Sequence, residues 1–428
     1  MRQLFSSRLA TVFTMVGLAV GLGNVWRFPY MMGRYGGSAF LIIYLVFVAM
    51  LSMPALTAEW ALGRATRRGP LGALSAALGR RGRPLGYLLL LTVLVANSYY
   101  LVVLANVAYS AAFSIGTGFT AASLPAYQRG LDTGWLQALT GLGIVGLAML
   151  VLHRGLHRGI ELVSKMFVPF FGLVVVYLIV MSLSLPTALG HLEEFLQPDF
   201  RALTTTSVFA ALGQAFFSLS LGGTFHLIYG SYLRDEENIP VSAAFTAAGD
   251  TTAALLAALF IVPTTLVFGL DLESGPQLIF HSLPRLFEII PGGRVMGSLL
   301  LLALLLVAFL SSIAAFQVLI GALEDSFGMP AGRAVLVVGA AEAVLMLPTA
   351  FHPDLIAVLD LITGSGMQML GSALALVALT WGLGRATTLR QVFGRESGPG
   401  PALYWYWIRW LVPAALALML GLFVLEAL

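Results

Sequence analysis

Residues 17–24 read Gly17-Leu18-Ala19-Val20-Gly21-Leu22-Gly23-Asn24, and Val25-Trp26-Arg27-Phe28-Pro29-Tyr30 follow. They lie in an apolar run near 8–32, and about 20 apolar residues are enough to cross a bilayer. Glycine costs about 1 kcal/mol per position in a helix interior, and polar groups in lipid cost more. Such a helix either packs closely on a neighbour through its small residues or is interrupted. A second stretch of this kind, Ser218-Leu219-Ser220-Leu221-Gly222-Gly223-Thr224, sits in a run near 206–233. The two runs are the first and the sixth along the chain, the leading members of two five-helix halves. Matching breaks in two halves point to a binding site at the bilayer midplane.

Working outward, further apolar runs lie near 38–62, 84–113, 135–153, 160–184, 240–269, 294–323, 332–350, 354–382 and 402–427, which makes eleven spans. Composition agrees with a bilayer as solvent. Apolar residues make up 59% of the 428 and charged residues 10%, against roughly 25% charge in soluble domains; mean hydropathy is +0.91. The N-terminal run lacks a small-residue cleavage site and continues through Trp26 to Pro29, so it reads as a retained helix rather than a signal peptide. No cysteine is present, which excludes disulfides and thiolate chemistry. The net charge of +3 is scattered between spans rather than gathered in a stripe with aromatics, so nucleic acid is not expected as a partner. No linker separates two domains. The expectation is one membrane domain over 1–428, with repeats near 5–184 and 204–384 and an added helix at 402–427.

Arg64, Arg67, Arg68, Arg80, Arg81, Arg83, Arg154, Arg158, Arg234, Arg333, Arg385, Arg390 and Arg395 all fall in alternate loops, while the opposite loops carry Asp132, Glu193, Glu194, Asp199, Asp271 and Glu273. The excess of basic residues on cytoplasmic loops puts the N-terminus inside and, for an odd count, the C-terminus outside. A multi-pass protein of the cell inner (plasma) membrane is expected.

The first motif, with Ser7-Arg8-Leu9-Ala10 before it and Gly36-Gly37 after, resembles the neurotransmitter:sodium symporter family, including the bacterial transporters of leucine and other hydrophobic amino acids. Glu59-Trp60-Ala61-Leu62-Gly63-Arg64, Gly213-Gln214 through Gly222, and Ser311-Ser312 with Leu323-Glu324-Asp325 match the family's second, sixth and eighth helices in order. The resemblance implies an all-α integral membrane fold, an inverted five-plus-five repeat with helices one and six unwound at the midplane, and sodium-coupled symport of an amino acid by alternating access. An unwound segment frees carbonyls for a cation, and the half-helix after it offers N–H groups to an anion. Oxygen-only ligands suit a hard cation.

By resemblance, one sodium ion takes the Ala19 carbonyl, Asn24, Ser218 and Asp250, with the substrate carboxylate completing the shell. A second takes the carbonyls of Gly17, Val20 and Val307 and the Ser311 hydroxyl. A gapless match puts Leu310 where the family often has a further hydroxyl, leaving that site one oxygen short; a shift of one residue would supply Ser311 and Ser312 instead. The leucine transporter has Asn at the Asp250 position and Glu where this chain has Ala254, the place at which chloride-dependent relatives use an anion. Asp250 is therefore expected to supply the negative charge itself, so that no chloride is needed.

Gly21 stands where monoamine carriers have Asp, which favours an amino acid over an amine. Tyr100 is expected on its carboxylate, and the carbonyls of Ala19, Phe217 and Ser218 with the Ser220 hydroxyl on its ammonium. Leu22 and Gly23 line the same site. Ala96, Gly223 and Ala315 replace larger residues, implying a roomy pocket for Trp, Phe or Tyr, with leucine the smaller alternative. For the gates the resemblance pairs Arg27 with Asp360 outside, under a lid of Tyr100 and Phe217, and Arg2 with Asp325 inside, near Phe5 and Tyr232. The six histidines show no metal-ligand spacing and receive no role. Gly364-Ser365-Gly366 has no recognisable histidine partner, so an intramembrane protease, like any enzyme, is not expected; a channel would show a repeated filter. A proton-driven carrier of the same fold is the nearer rival. No obligate protein partner is evident, only the bilayer and the substrate.

Overall fold

The computed structural model describes residues 3–270, 272, 278–394 and 398–427. Among these the secondary structure is helical throughout. The first apolar run forms α1 (Arg8–Ala19) and α2 (Gly23–Arg34), bent by 58° at the break between them. Ser7 caps α1 by accepting from the Ala10 N–H. After α2 come α3 (Gly37–Thr66), α4 (Gly82–Gly116), α5 (Gly134–His153) and α6 (Leu156–Leu183). The sixth run is two helices, α7 (Thr205–Ser218) and α8 (Phe225–Gly230). Then follow α9 (Ile239–Val267), α10 (Gly293–Phe327), α11 (Ala331–Phe351), α12 (Asp354–Phe393) and α13 (Pro399–Leu422).

Nine of the described helices are long and apolar enough to span a membrane unaided, and the bent pair α1–α2 makes a tenth. The eleventh run of the sequence is α7 and α8. Neither half reaches the roughly 20 residues a span needs, because the chain between them leaves the helix for six residues, from Leu219 to Thr224.

Packing relates the two halves. α4 lies along α10, and α5 lies along α11. The contact of α3 with α8 has its counterpart in α1 with α9; that of α4 with α5, in α10 with α11; that of α6 with α10, in α12 with α4. Each helix of the first five thus meets the partner that an inverted pseudo-two-fold axis requires, and the fold is the inverted five-plus-five arrangement. α13 lies outside it, against α12.

Close approach is built from glycine at the broken helix. A Cβ on Gly63 of α3 would lie 2.1 Å from the Leu227 carbonyl, and one on Gly230 of α8 would lie 2.8 Å from the Trp60 backbone. No side chain fits either gap. This holds the short α8, which a single turn and a half of helix could not hold alone.

Candidate functional site

Both breaks fall where the backbone cannot continue as a helix. Val20 takes an extended conformation, φ −69° and ψ 123°, so α1 stops there. On the other side, Ser220 at φ 51° and Gly223 at φ 65° are left-handed. For Ser220 that conformation costs of order 1–3 kcal/mol, which the surrounding contacts must offset.

Those contacts come largely from α3. Glu59, fully buried, accepts from the Gly222 N–H at 3.1 Å. Beside it the Trp60 indole N–H donates to Nδ1 of His226 at 3.0 Å, and His226 meets the Leu219 carbonyl through Nε2 at 2.5 Å. Because the indole can only donate, Nδ1 must be the acceptor and Nε2 must carry the ring proton. His226, given no role from the sequence, is a fully buried tie across the break. The overlooked signal was its place two residues past Thr224 inside an apolar run.

The two breaks meet at Asp250 of α9. Its Oδ2 accepts from Ser218 Oγ at 2.6 Å and its Oδ1 from the Asn24 amide at 2.7 Å. The same amide approaches Ser218 Oγ at 3.4 Å and the Asp250 carbonyl at 3.2 Å, and Asn24 Oδ1 accepts from the Gly21 N–H at 2.9 Å. Asn24, Ser218 and Asp250 are all buried. Ala19 ends α1 one residue before the extended Val20, so it is part of the same break. A carboxylate, an amide, a hydroxyl and a helix-end carbonyl make an oxygen set of the type a hard monovalent cation takes.

Next to this cluster, Tyr44 OH, Thr251 Oγ1 and both amide atoms of Gln214 are buried without a hydrogen-bond partner among the described residues. Tyr44 faces Ser218, Thr251 and Asp250.

Gly21 brings the backbone close to two hydroxyls on the other side. A Cβ there would meet Ser311 Oγ at 3.3 Å and Tyr100 OH at 3.8 Å. Tyr100 OH lies 3.4 Å from the Ala308 carbonyl, and Ser311 Oγ donates to the Leu18 carbonyl at 3.1 Å. Leu310, not a serine, points at Gly17: its Cδ1 would lie 2.7 Å from a Cβ there. Ser312 turns away and donates to Asn97 Oδ1 at 2.9 Å. Val20 and Val307 are buried near this crossing of α1 and α10.

Phe217 packs so tightly on Gly23 that a Cβ would lie 2.6 Å from its ring. Leu22 is buried beside it, and Ala315 lies one turn beyond Ser311 and Ser312, also buried. Gly223 is in a different position. Its Cβ direction runs into the Gly371 carbonyl of α12 at 2.3 Å, so the helix contact already accounts for its small size. Ala96 lies on α4, one turn before Tyr100.

On one side of the cluster, the Arg27 guanidinium sits 3.9 Å over the Phe217 ring rather than in ion-pair contact with Asp360. Asp360 Oδ1 accepts from Tyr99 OH at 2.9 Å. Arg27 and Phe217 line a cavity of about 320 Å³, with Tyr35, Gln368 and Met419 on its far walls. On the opposite side, Arg2 lies outside the described residues. Asp325 caps the Gly69 N–H at 3.0 Å, and Tyr232 OH accepts from Gln317 at 2.7 Å. Residues 3–6 are strapped across this side. The Phe5 N–H donates to the Tyr232 carbonyl at 2.9 Å, and Ser6 gives its N–H and hydroxyl to Glu161 at 2.8 and 2.5 Å. Nothing in the sequence sets Glu161 apart from any other acidic residue at a helix start.

This arrangement of spans is one that known proteins share. The family model described as "Sodium:neurotransmitter symporter family" matches residues 2–125 and 132–427. The chain belongs to that family. As a member of the sodium:neurotransmitter symporters it is a multi-pass membrane transporter and not an enzyme. It is 30% identical over 352 residues to a sodium-dependent transporter of Haemophilus influenzae, covering 78% of this chain and 77% of the relative. It is 28% identical over 435 residues to the sodium-dependent transporter YhdH of Bacillus subtilis, covering 97% and 96%. Among solved structures, MhsT in complex with L-phenylalanine superposes with a TM-score of 0.88 at 26% identity, covering 98% of this chain and 99% of that one.

Proposed function

We propose that this symporter carries a large apolar or aromatic L-amino acid inward with sodium, and that it does so without chloride. The observation that carries the reading is the cluster of Asn24, Ser218 and Asp250 where the two breaks meet. A carboxylate buried between broken helices attracts a cation, and the oxygens around it suit sodium. Gly21 carries no side chain, so the backbone of the first break lies close to the Ser311 and Tyr100 hydroxyls, two donors to which a substrate carboxylate would bind. Ala96 and Ala315, where the leucine transporter has larger residues, are the positions proposed to admit a large side chain. The solved neighbour MhsT, in complex with L-phenylalanine, is consistent with that substrate class.

The second sodium site is the weaker one. Leu310 fills the space facing Gly17 with methyl groups, and Ser311 spends its proton on the Leu18 carbonyl. Arg27 with Asp360, and Asp325 with Tyr232 and Arg2, are proposed as the outer and inner gates. The N-terminus is proposed to face the cytoplasm and the C-terminus the other side of the inner membrane. The repeats are proposed to run near 5–184 and 204–384.

One observation favours a second reading. The unpartnered groups of Tyr44, Gln214 and Thr251 beside Asp250 offer donors that an anion would accept from. The test is uptake of labelled Trp, Phe, Tyr and Leu into proteoliposomes under a sodium gradient, with chloride present or replaced by gluconate. Sodium-driven uptake of the aromatic amino acids at equal rates in both anions is expected. Loss of uptake in gluconate would establish the second reading, and uptake indifferent to sodium would end the first.

A further inference from the structure

Glu342 of α11 is fully buried, and neither of its carboxyl oxygens has a hydrogen-bond partner among the described residues. It lies halfway along its span, on a helix packed against α5, α10 and α4. The group facing it is the Asn97 amide of α4, whose Nδ2 is likewise without a partner. Asn97 Oδ1 in turn accepts from Ser312 of α10 at 2.9 Å. The chain of polar groups thus runs from a carboxyl among the outer helices to Ser312, beside the Ser311 hydroxyl near Gly21.

A carboxylate in this place needs a compensating positive charge. None comes from its neighbours. α5 carries one titratable residue, His153, at its far end beside Gly332. On α10, Arg294 is bonded to the carbonyls of Ile115 and Gly116, and Glu324 and Asp325 lie at the opposite terminus. On α4, Tyr99 is engaged by Asp360, Tyr100 by the Ala308 carbonyl and Tyr109 by the Tyr127 carbonyl, while Arg83 and Tyr87 stand at the start of the helix. On α11 itself, Arg333 is in the first turn. Nor is sodium well served. A hard metal cation wants about six oxygens, and α4, α10 and α11 are all unbroken at these positions, so no backbone carbonyl is free. A proton needs one.

We propose that Glu342 is a proton-binding site of this transporter, coupled through Asn97 and Ser312 to the substrate pocket. The coupling, though not the site, rests on the substrate reading above. When the substrate draws Ser312 toward it, the Asn97 amide turns and the hydrogen bond available to Glu342 changes, which alters its hold on the proton.

The purified full-length protein in liposomes tests this by infrared difference spectroscopy. The protonated-carboxyl C=O band of the wild type should be absent in Glu342→Gln, and displaced but present in Glu342→Asp. Adding L-tryptophan should shift it. Tryptophan affinity should also vary with pH, by up to about tenfold per unit for one linked proton, and this dependence should vanish in Glu342→Gln. Identical carboxyl bands in the wild type and Glu342→Gln would overturn the proposal. So would a band that appears only when sodium is replaced by N-methylglucamine at fixed pH, which would mark a sodium site. A Glu342 band that bound L-tryptophan leaves unshifted would overturn the coupling, whereas failure of any aromatic amino acid to bind would count against the substrate reading instead.

Discussion

Single residues decide what the central cluster can hold. Asp250 is the carboxylate there, so Asp250→Ala should abolish sodium-stimulated binding. A loss of at least about a hundredfold in apparent sodium affinity is expected for one buried charged partner, about 2.7 kcal/mol, readable by scintillation proximity with labelled substrate. Leu310→Thr puts a hydroxyl opposite Gly17 where Leu310 now presents Cδ1. It should strengthen the second sodium site and steepen the sodium dependence of uptake. At the pocket, Ala315→Ile should lower tryptophan affinity relative to leucine by about 10–200-fold, the range for filling apolar space; an unchanged ratio would remove Ala315 from the pocket wall. Gly223 is no such probe, because any side chain there strikes Gly371 of α12 before reaching a substrate.

Elements show what could be read in advance and what could not. The break in the first span was legible because three glycines and Asn24 in lipid have few uses, and the bend lies at Val20–Leu22 among them. The partners of the second break were not. Glu59 and Trp60 lie 163 and 166 residues before their partners Gly222 and His226, and helical periodicity says nothing about which turn of α3 will face Gly222. His226 carries no metal-ligand spacing that would mark it, and its task is to tie an indole N–H to a freed carbonyl. His226→Ala removes both bonds at once. Two buried groups left unsatisfied, at about 1–3 kcal/mol each, should lower the thermal midpoint in detergent. His226→Gln, which can still donate to Leu219, should recover part of that loss. The eleven apolar runs also all correspond to described helices, but only their packing reveals that α7 and α8 must be counted together.

At the scale of the molecule, the inverted arrangement sets α4 along α10 and α5 along α11, with α1 and α8 both packed on α10. Composition disclosed the solvent and the order of spans; it did not disclose that residues 3–6 would be fastened across one face, since Gln3, Phe5 and Ser6 are ordinary side chains. The chain contains no cysteine, so a single cysteine placed at Ser7 reports on that face without background. Glu161→Ala should raise its labelling rate, while sodium should restore protection if the strap closes with ion binding. The form of the fastening has a kinetic consequence. Gln3 holds the Leu156 N–H, the Leu4 carbonyl meets His157, Phe5 holds Tyr232, and Ser6 holds Glu161. Gln3, Leu4 and Ser6 are pinned to the start of α6 and Phe5 to the turn after α8, by separate bonds of about 1 kcal/mol each, so the strap peels one residue at a time like a zip. Single-molecule records of its release should therefore show a ladder of dwell times, not one abrupt step.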